Sequence, residues 1–199
     1  MRWQSLMLEL GSPAPAFATP DPSGRRYTLK DFAGSRALLV GFICNHCPFV
    51  LHILDSFIKI AHDYAPSGLA TVAISSNDVA AHPEDGPADM AKLALERRFG
   101  FPYLYDESQD VAIQFRAVCT PDFFLYDPQR KLYYRGQIDS SRPVTEHTAG
   151  QAGSGSVSTG ADLRAALDAL LAGLPPPQEQ RPSMGCSMKW KAGNEPEWG

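Results

Sequence analysis

The stretch Ala37-Leu38-Leu39-Val40-Gly41-Phe42-Ile43-Cys44-Asn45-His46-Cys47-Pro48 decides how this chain folds and which chemistry it can carry. Its first seven residues are an unbroken apolar run of the length and composition of a strand buried on both faces. Behind it, Val50, Ile53, Leu54, Phe57 and Ala61 recur at helical spacing. They predict a helix to about Tyr64, closed by Pro66-Ser67-Gly68. Between strand and helix stand two thiols separated by Asn45 and His46. A strand that delivers a Cys-x-x-Cys pair onto the start of a helix has the geometry that thiol–disulfide exchange needs. The free N–H groups and dipole of the helix N-terminus favour a thiolate, which is the reacting species. The other thiol then lies within reach to resolve a mixed disulfide. The expectation is that Cys44 is the exposed nucleophile and Cys47 the covered resolving thiol. His46 would stabilise the Cys44 thiolate with partial positive charge.

Upstream, each proline in residues 10–17 disfavours helix in the residue before it and predicts an extended lead-in. Residues 17–19 and 26–29 read as a hairpin around Asp21-Pro22-Ser23-Gly24, and Lys30-Asp31-Phe32-Ala33-Gly34 as a short helical turn. Downstream, Leu69–Ser75 is a second central strand. A polar loop at 76–86 leads into a helix at 88–99, a short edge strand at Tyr103–Tyr105 and a short helix near 108–115. Asp122–Tyr126 and residues 132–137 alternate like strands around the turn Asp127-Pro128-Gln129-Arg130. Residues 149–160 have linker composition and predict a mobile loop. Thr159 is placed to cap a helix at 161–172, whose Leu163, Ala166, Leu167 and Leu170 form an apolar stripe. This order predicts an α/β fold, a mixed central sheet with helices on both faces and an N-terminal β-hairpin. One domain covers residues 1–174, and a proline-containing tail at 175–199 is expected to pack on it.

The 199 residues carry 18 basic and 22 acidic side chains, a net charge of −4. There is no basic stripe for nucleic acid and no polybasic patch for a membrane. The run at 37–43 is far too short to span a bilayer. The first residues lack the apolar core of a signal peptide, so a cytoplasmic protein is expected, in which disulfides are transient and catalytic. A structural zinc site would need a second Cys-x-x-Cys or a closely spaced histidine pair. Cys119 and Cys186 stand alone, and His52, His62, His82 and His147 read as ordinary surface residues. No metal and no other cofactor is expected. Partners are disulfides or thiols of proteins or small molecules.

With Thr120-Pro121 following the Cys44-Asn45-His46-Cys47 motif at a distance, the chain resembles the thioredoxin-like superfamily. The lead-in Leu10-Gly11-Ser12-Pro13-Ala14-Pro15-Ala16-Phe17, with Gly24 and Leu29-Lys30-Asp31-Phe32-Ala33-Gly34, looks like its AhpC/TSA and redoxin branch. Cys119-Thr120-Pro121-Asp122-Phe123-Phe124 and Gly185-Cys186-Ser187-Met188-Lys189-Trp190-Lys191 narrow this to peroxiredoxin-like redoxins with a Cys-Asn-His-Cys-Pro motif. The resemblance implies a thioredoxin-like fold and a cis peptide before Pro121, with Thr120 and Pro121 as the loop that docks a substrate. It implies thiol–disulfide oxidoreductase activity, with a thiol-dependent peroxidase as the alternative. A third possibility is a metal-handling protein like the Sco-type copper chaperones, whose cysteine spacing is longer.

Two departures from the family pattern stand out. Peroxiredoxins carry Thr or Ser three residues before the peroxidatic cysteine, and counting back from Cys47 gives Cys44. Thioredoxins keep a buried carboxylate on the strand before the motif, where this chain has Leu38 or Gly41. Of the remaining thiols, Cys119 precedes Thr120 and is expected to face away from the pair, into the core. Cys186 is expected to return with the tail toward Cys119 or the Cys44/Cys47 pair as a secondary redox thiol.

Overall fold

A computed structural model describes residues 2–146 and 148–198, so the expectation for His147 lies outside the described residues. In chain order the elements begin with β1 (Arg2–Gln4), β2 (Ala18–Pro20), β3 (Arg26–Thr28), β4 (Ala37–Phe42), α1 (Pro48–Tyr64) and β5 (Leu69–Ser75). They continue with α2 (Pro87–Glu96), β6 (Tyr103–Tyr105), α3 (Asp110–Phe115), β7 (Cys119–Thr120) and β8 (Asp122–Tyr126). The last are β9 (Leu132–Arg135), α4 (Ala161–Leu171) and β10 (Met184–Ser187). Five strands form the central sheet in the order β6-β5-β4-β8-β9; β4, β5 and β6 run parallel, while β8 and β9 are antiparallel additions. The expected mixed sheet, flanking helices and β2–β3 hairpin are all present.

Every residue of β4 is buried, and its side chains alternate between two cores. Ala37 and Leu39 join α1 and α4 on one face, while Leu38, Val40 and Phe42 join Phe115, Phe124 and Tyr126 on the other. Each Leu, Val or Phe withdrawn from water contributes roughly 1.5–3 kcal/mol. The strand that carries the thiols is therefore anchored from both sides. Gly41 lies beneath Phe57 and Phe123, and a Cβ there would come within 3.0 Å of the Phe57 ring. That packing leaves no room at this position for a carboxylate.

Three short strands escape the sequence reading. β1, β10 and β7 make a separate antiparallel sheet, pairing residues from the two ends of the chain. The tail is tied down residue by residue: Gln137 N–H donates to Arg181 O, Ser5 N–H to Ser183 O, and Met188 N–H to Val118 O. Met188 and Trp190 pack against the Phe115 side of the sheet, and Trp198 meets Trp190 edge-on at 6.3 Å.

The expected Thr159 cap is corrected. Gly160 is the N-cap of α4 and makes no side-chain cap bond. Asp139 replaces it from outside the helix. One of its carboxylate oxygens accepts Ser158 Oγ–H, Thr159 N–H and Gly160 N–H, each at 2.7 Å, and the other accepts Ser141 N–H at 2.9 Å. These bonds also fasten the end of the segment expected to be mobile. Burial pushes the Asp139 carboxyl up, but bonds from Ser141, Gly160 and Ser158 outweigh it and hold the carboxyl below its ordinary range. A depressed folded-state pKa stabilises above the unfolded value of about 3.9 and ceases to do so as pH falls through the folded value. Asp139→Asn is therefore expected to lower stability at pH 7 by on the order of 2 kcal/mol, with the gap to wild type closing in acid. Urea melts at pH 7 and pH 3 check this; an equal gap at both would refute it.

Candidate active site

Pro48 occupies the first position of α1, where its missing N–H costs nothing, and this makes Cys47 the N-cap in extended conformation. The second thiol, not the first, therefore sits on the helix N-terminus. Cys44 lies three residues earlier, in the turn that leaves β4, and is only 1% exposed; Cys47 is fully buried. The expectation of an exposed Cys44 is thus overturned, its sulfur lying in against Thr120 of β7. Cys44 Sγ is 3.4 Å from Thr120 Oγ1, and Cys47 S–H donates to Thr120 O at 3.2 Å. The Thr120–Pro121 bond is cis.

The electrostatics follow the same order. Cys47 is held far below the ordinary thiol range by donation from the Cys186 thiol, then the Cys44 thiol, with the Val50 and Cys186 N–H groups adding to it. Burial opposes the thiolate but does not outweigh these contributions. Cys44 is pushed well up by its hydrogen bond to Cys47, by burial, and by the negative charges of Cys47 and Asp85. The expectation that His46 lowers the Cys44 pKa is corrected accordingly. His46 turns its Nδ1 to Asp85 Oδ2 at 2.8 Å, and its ring stacks on His82 at 4.8 Å with a 7° tilt. His82 is therefore part of the site's surroundings rather than an ordinary surface residue.

Asp85 is the residue that sequence reasoning missed. It is fully buried at the end of a 3-10 turn in the 76–86 loop. It accepts Asn45 N–H at 2.7 Å and Asn77 Nδ2–H at 2.8 Å, besides facing His46. Asn45 is held further by Tyr103 O–H on its Oδ1 at 3.1 Å and by its own Nδ2–H on Glu84 O at 2.8 Å. The two residues between the thiols are thus fixed from a different loop. The buried carboxylate missing from β4 is supplied by this loop, and an acidic residue among prolines gives no local sign of it. Cys44, His46 and Asp85 have ligand atoms within 4.8 Å of one another, as do His46, His82 and Glu84. Either trio could take a divalent cation, in competition with the hydrogen bonds that Asp85 already accepts.

The tail brings one more thiol to the pair. In the β7–β10 ladder Cys186 lies directly opposite Thr120. The ladder is tight because Gly185 has no side chain: a Cβ there would lie 2.0 Å from Thr120 O. The backbone before Pro121, expected to be open to a docked partner, is paired with β10. Cys119 stands apart. It is fully buried, its S–H lies 3.7 Å from Pro121 O, and burial pushes its thiol well up, with the Asp122 charge adding to this. Beyond it Asp122 and Arg135, both fully buried, pair at 3.1 Å, and the guanidinium lies 3.8 Å over the Phe124 ring.

Residues 10–135 match the AhpC/TSA family. The chain belongs to that family. Its fold is thioredoxin-like. It is similar to a hypothetical protein of Sinorhizobium meliloti, with 48% identity over 96% of this chain and 99% of that one and a TM-score of 0.89. At 23% identity the fold also matches the thioredoxin domain of a thiol-disulfide oxidoreductase from Bacteroides vulgatus (TM-score 0.55, 65% of this chain and 89% of that one). At 22% it matches Peroxidoxin BcpB from Mycobacterium tuberculosis (TM-score 0.58, 83% and 98%). No curated protein matches the chain. Among the described residues no helix is long and apolar enough to cross a membrane.

Proposed function

We propose that this AhpC/TSA protein is a thiol–disulfide oxidoreductase working through Cys47 and Cys44, with their roles reversed from the sequence expectation. The observation that carries this reading is the place of Cys47 as the N-cap of α1, with Cys44 gathered beside it on Thr120. A thiolate stabilised there attacks one sulfur of a substrate disulfide, forming a Cys47 mixed disulfide and expelling the other sulfur as a thiolate. Cys44 then attacks Cys47 Sγ and gives up its proton, the second substrate thiolate leaves, and a Cys44–Cys47 disulfide remains. Pro121 and Thr120 frame the pair, with the Thr120 hydroxyl 3.4 Å from Cys44 Sγ and the Thr120 carbonyl oxygen 3.2 Å from Cys47 Sγ. Because both thiols are covered, the fitting substrate is a small disulfide or a thin peptide loop rather than a rigid protein surface. The named activity of the Bacteroides vulgatus neighbour agrees with this class.

A second reading, peroxide reduction, draws on the burial of Cys47, since peroxide reaches sites that disulfides cannot. In that case Cys47 would become a sulfenic acid that Cys44 condenses with, releasing water. The position where peroxiredoxins place a hydroxyl to polarise the O–O bond holds the Cys44 thiol. Hydrogen peroxide is therefore expected to oxidise Cys47 at the rate of an ordinary thiolate. Stopped-flow tryptophan fluorescence with hydrogen peroxide and with a small aromatic disulfide compares the two. Fast peroxide oxidation with slow disulfide exchange would replace the first reading by the second.

A further inference from the structure

Three thiols meet at this site, and only one of them reaches solvent. Cys44 is 1% exposed and Cys47 not at all, whereas Cys186 is half-buried on β10. All three converge on Thr120. Cys186 is fixed there by its register opposite Thr120, whose carbonyl oxygen touches Cys47 and whose hydroxyl touches Cys44. Residues on either side pin the strand, with Ser183 held by Ser5 and Gly136, and Lys189 N–H donating to Asn77 Oδ1 at 2.9 Å. An oxidised Cys44–Cys47 pair in this setting is sealed from any bulky reductant, because exchange needs an incoming sulfur to reach one of the bonded sulfurs in line.

We propose that Cys186 is a third redox thiol that carries the disulfide from the buried pair to the surface, where a protein or small-molecule dithiol reduces it. The inference rests on the Cys44/Cys47 reading above. In the relay step Cys186 attacks Cys47 Sγ of the Cys44–Cys47 disulfide. A Cys47–Cys186 bond forms, the Cys44–Cys47 bond breaks, and the proton from Cys186 passes to the departing Cys44 sulfur. No electrons leave the protein in this step. An external dithiol then attacks Cys186 Sγ and expels Cys47, the best leaving group of the three because its thiolate is stabilised by the helix N-terminus. The second sulfur of the dithiol displaces Cys186 as a thiol, leaving an oxidised dithiol and a fully reduced protein. The raised pKa of Cys186 fits this role, since it keeps the outer thiol protonated and idle while Cys47 carries the charge.

The test uses the full chain as wild type, Cys44→Ser and Cys186→Ser, each confirmed folded by circular dichroism. Cys44→Ser oxidised with one equivalent of diamide should give a Cys47–Cys186 disulfide on peptide mapping after acid quench. Oxidised wild type mixed with thioredoxin as the bulky dithiol should be reduced at least tenfold faster than oxidised Cys186→Ser. Wild type quenched early in that reduction should contain the Cys47–Cys186 isomer, so the result does not hang on a variant. If Cys47 stays unbridged or pairs with another thiol in Cys44→Ser, or if Cys186→Ser is reduced at the wild-type rate, the relay is wrong. A wild-type map without a Cys44–Cys47 disulfide would instead overturn the pair reading itself.

Discussion

Replacing Cys47 with Ser should lower turnover of a small disulfide by on the order of 10³-fold or more, as loss of the nucleophile does in a covalent mechanism. Cys44→Ser should keep the first step, releasing one equivalent of leaving thiol in a burst, and lose only the efficient resolution that follows. The pH arm separates this from the opposite assignment. An ordinary thiol with pKa about 8.5 is almost wholly protonated at pH 6. Cys47, held well below that range by the thiols of Cys186 and Cys44 and by the Val50 N–H, stays a thiolate. Its burst rate in Cys44→Ser should therefore change little between pH 8 and pH 6. In Cys47→Ser the remaining thiols have no such support, and any burst should fall about tenfold per pH unit. A pH-independent burst in Cys47→Ser, absent from Cys44→Ser, would restore Cys44 as the nucleophile.

Much of this architecture is written locally. The apolar run before Cys44 and the helical spacing of Val50, Ile53, Leu54, Phe57 and Ala61 place the strand and helix because their burial pattern repeats within a few residues. The place of the second thiol on the helix is legible too. Pro48 marks the first helical position, which puts Cys47 rather than Cys44 on the N-terminus. What could not be read is non-local. β1, β7 and β10 are two to four residues long and exist only because each finds the others, Arg2 lying opposite Cys186 and Cys186 opposite Thr120. The Asp139 cap comes from some twenty residues upstream of α4, so the nearest hydroxyl, Thr159, looked like the cap and was not. The burial of Cys44 is non-local too, since its sulfur lies against Thr120, 76 residues away along the chain.

Asp85 shows what that non-local layer does for chemistry, and its removal should be the most damaging change outside the thiols. The carboxylate offers acceptors to Asn45 N–H, Asn77 Nδ2–H and the His46 ring. An Asn in its place keeps the shape but turns one acceptor into a donor, so at least one of those groups faces a donor in a buried site. Each unsatisfied buried donor costs about 1–3 kcal/mol, and Asp85→Asn should destabilise the fold by roughly that amount or twice it. Asn77 also accepts Lys189 N–H, so one carboxylate steadies both the Cys44–Cys47 turn and the strand that brings Cys186. Exchange should slow by about 10- to 100-fold even where the variant is fully folded, since small misplacements of reacting groups cost that much. A purely structural role would stop there. Asp85 also pushes the Cys44 thiol up through its negative charge, after the larger effects of Cys47 and burial. Removing that charge should lower the Cys44 pKa and move the pH profile of mixed-disulfide resolution toward acid, while the Cys47-dependent first step keeps its profile. Stopped-flow resolution kinetics across pH 6 to 10, at a temperature well below the melting point, would show the displacement. An unmoved profile would reduce Asp85 to a structural tie. A shifted one would mean that this chain tunes its resolving thiol from a loop where thioredoxins do so from the strand.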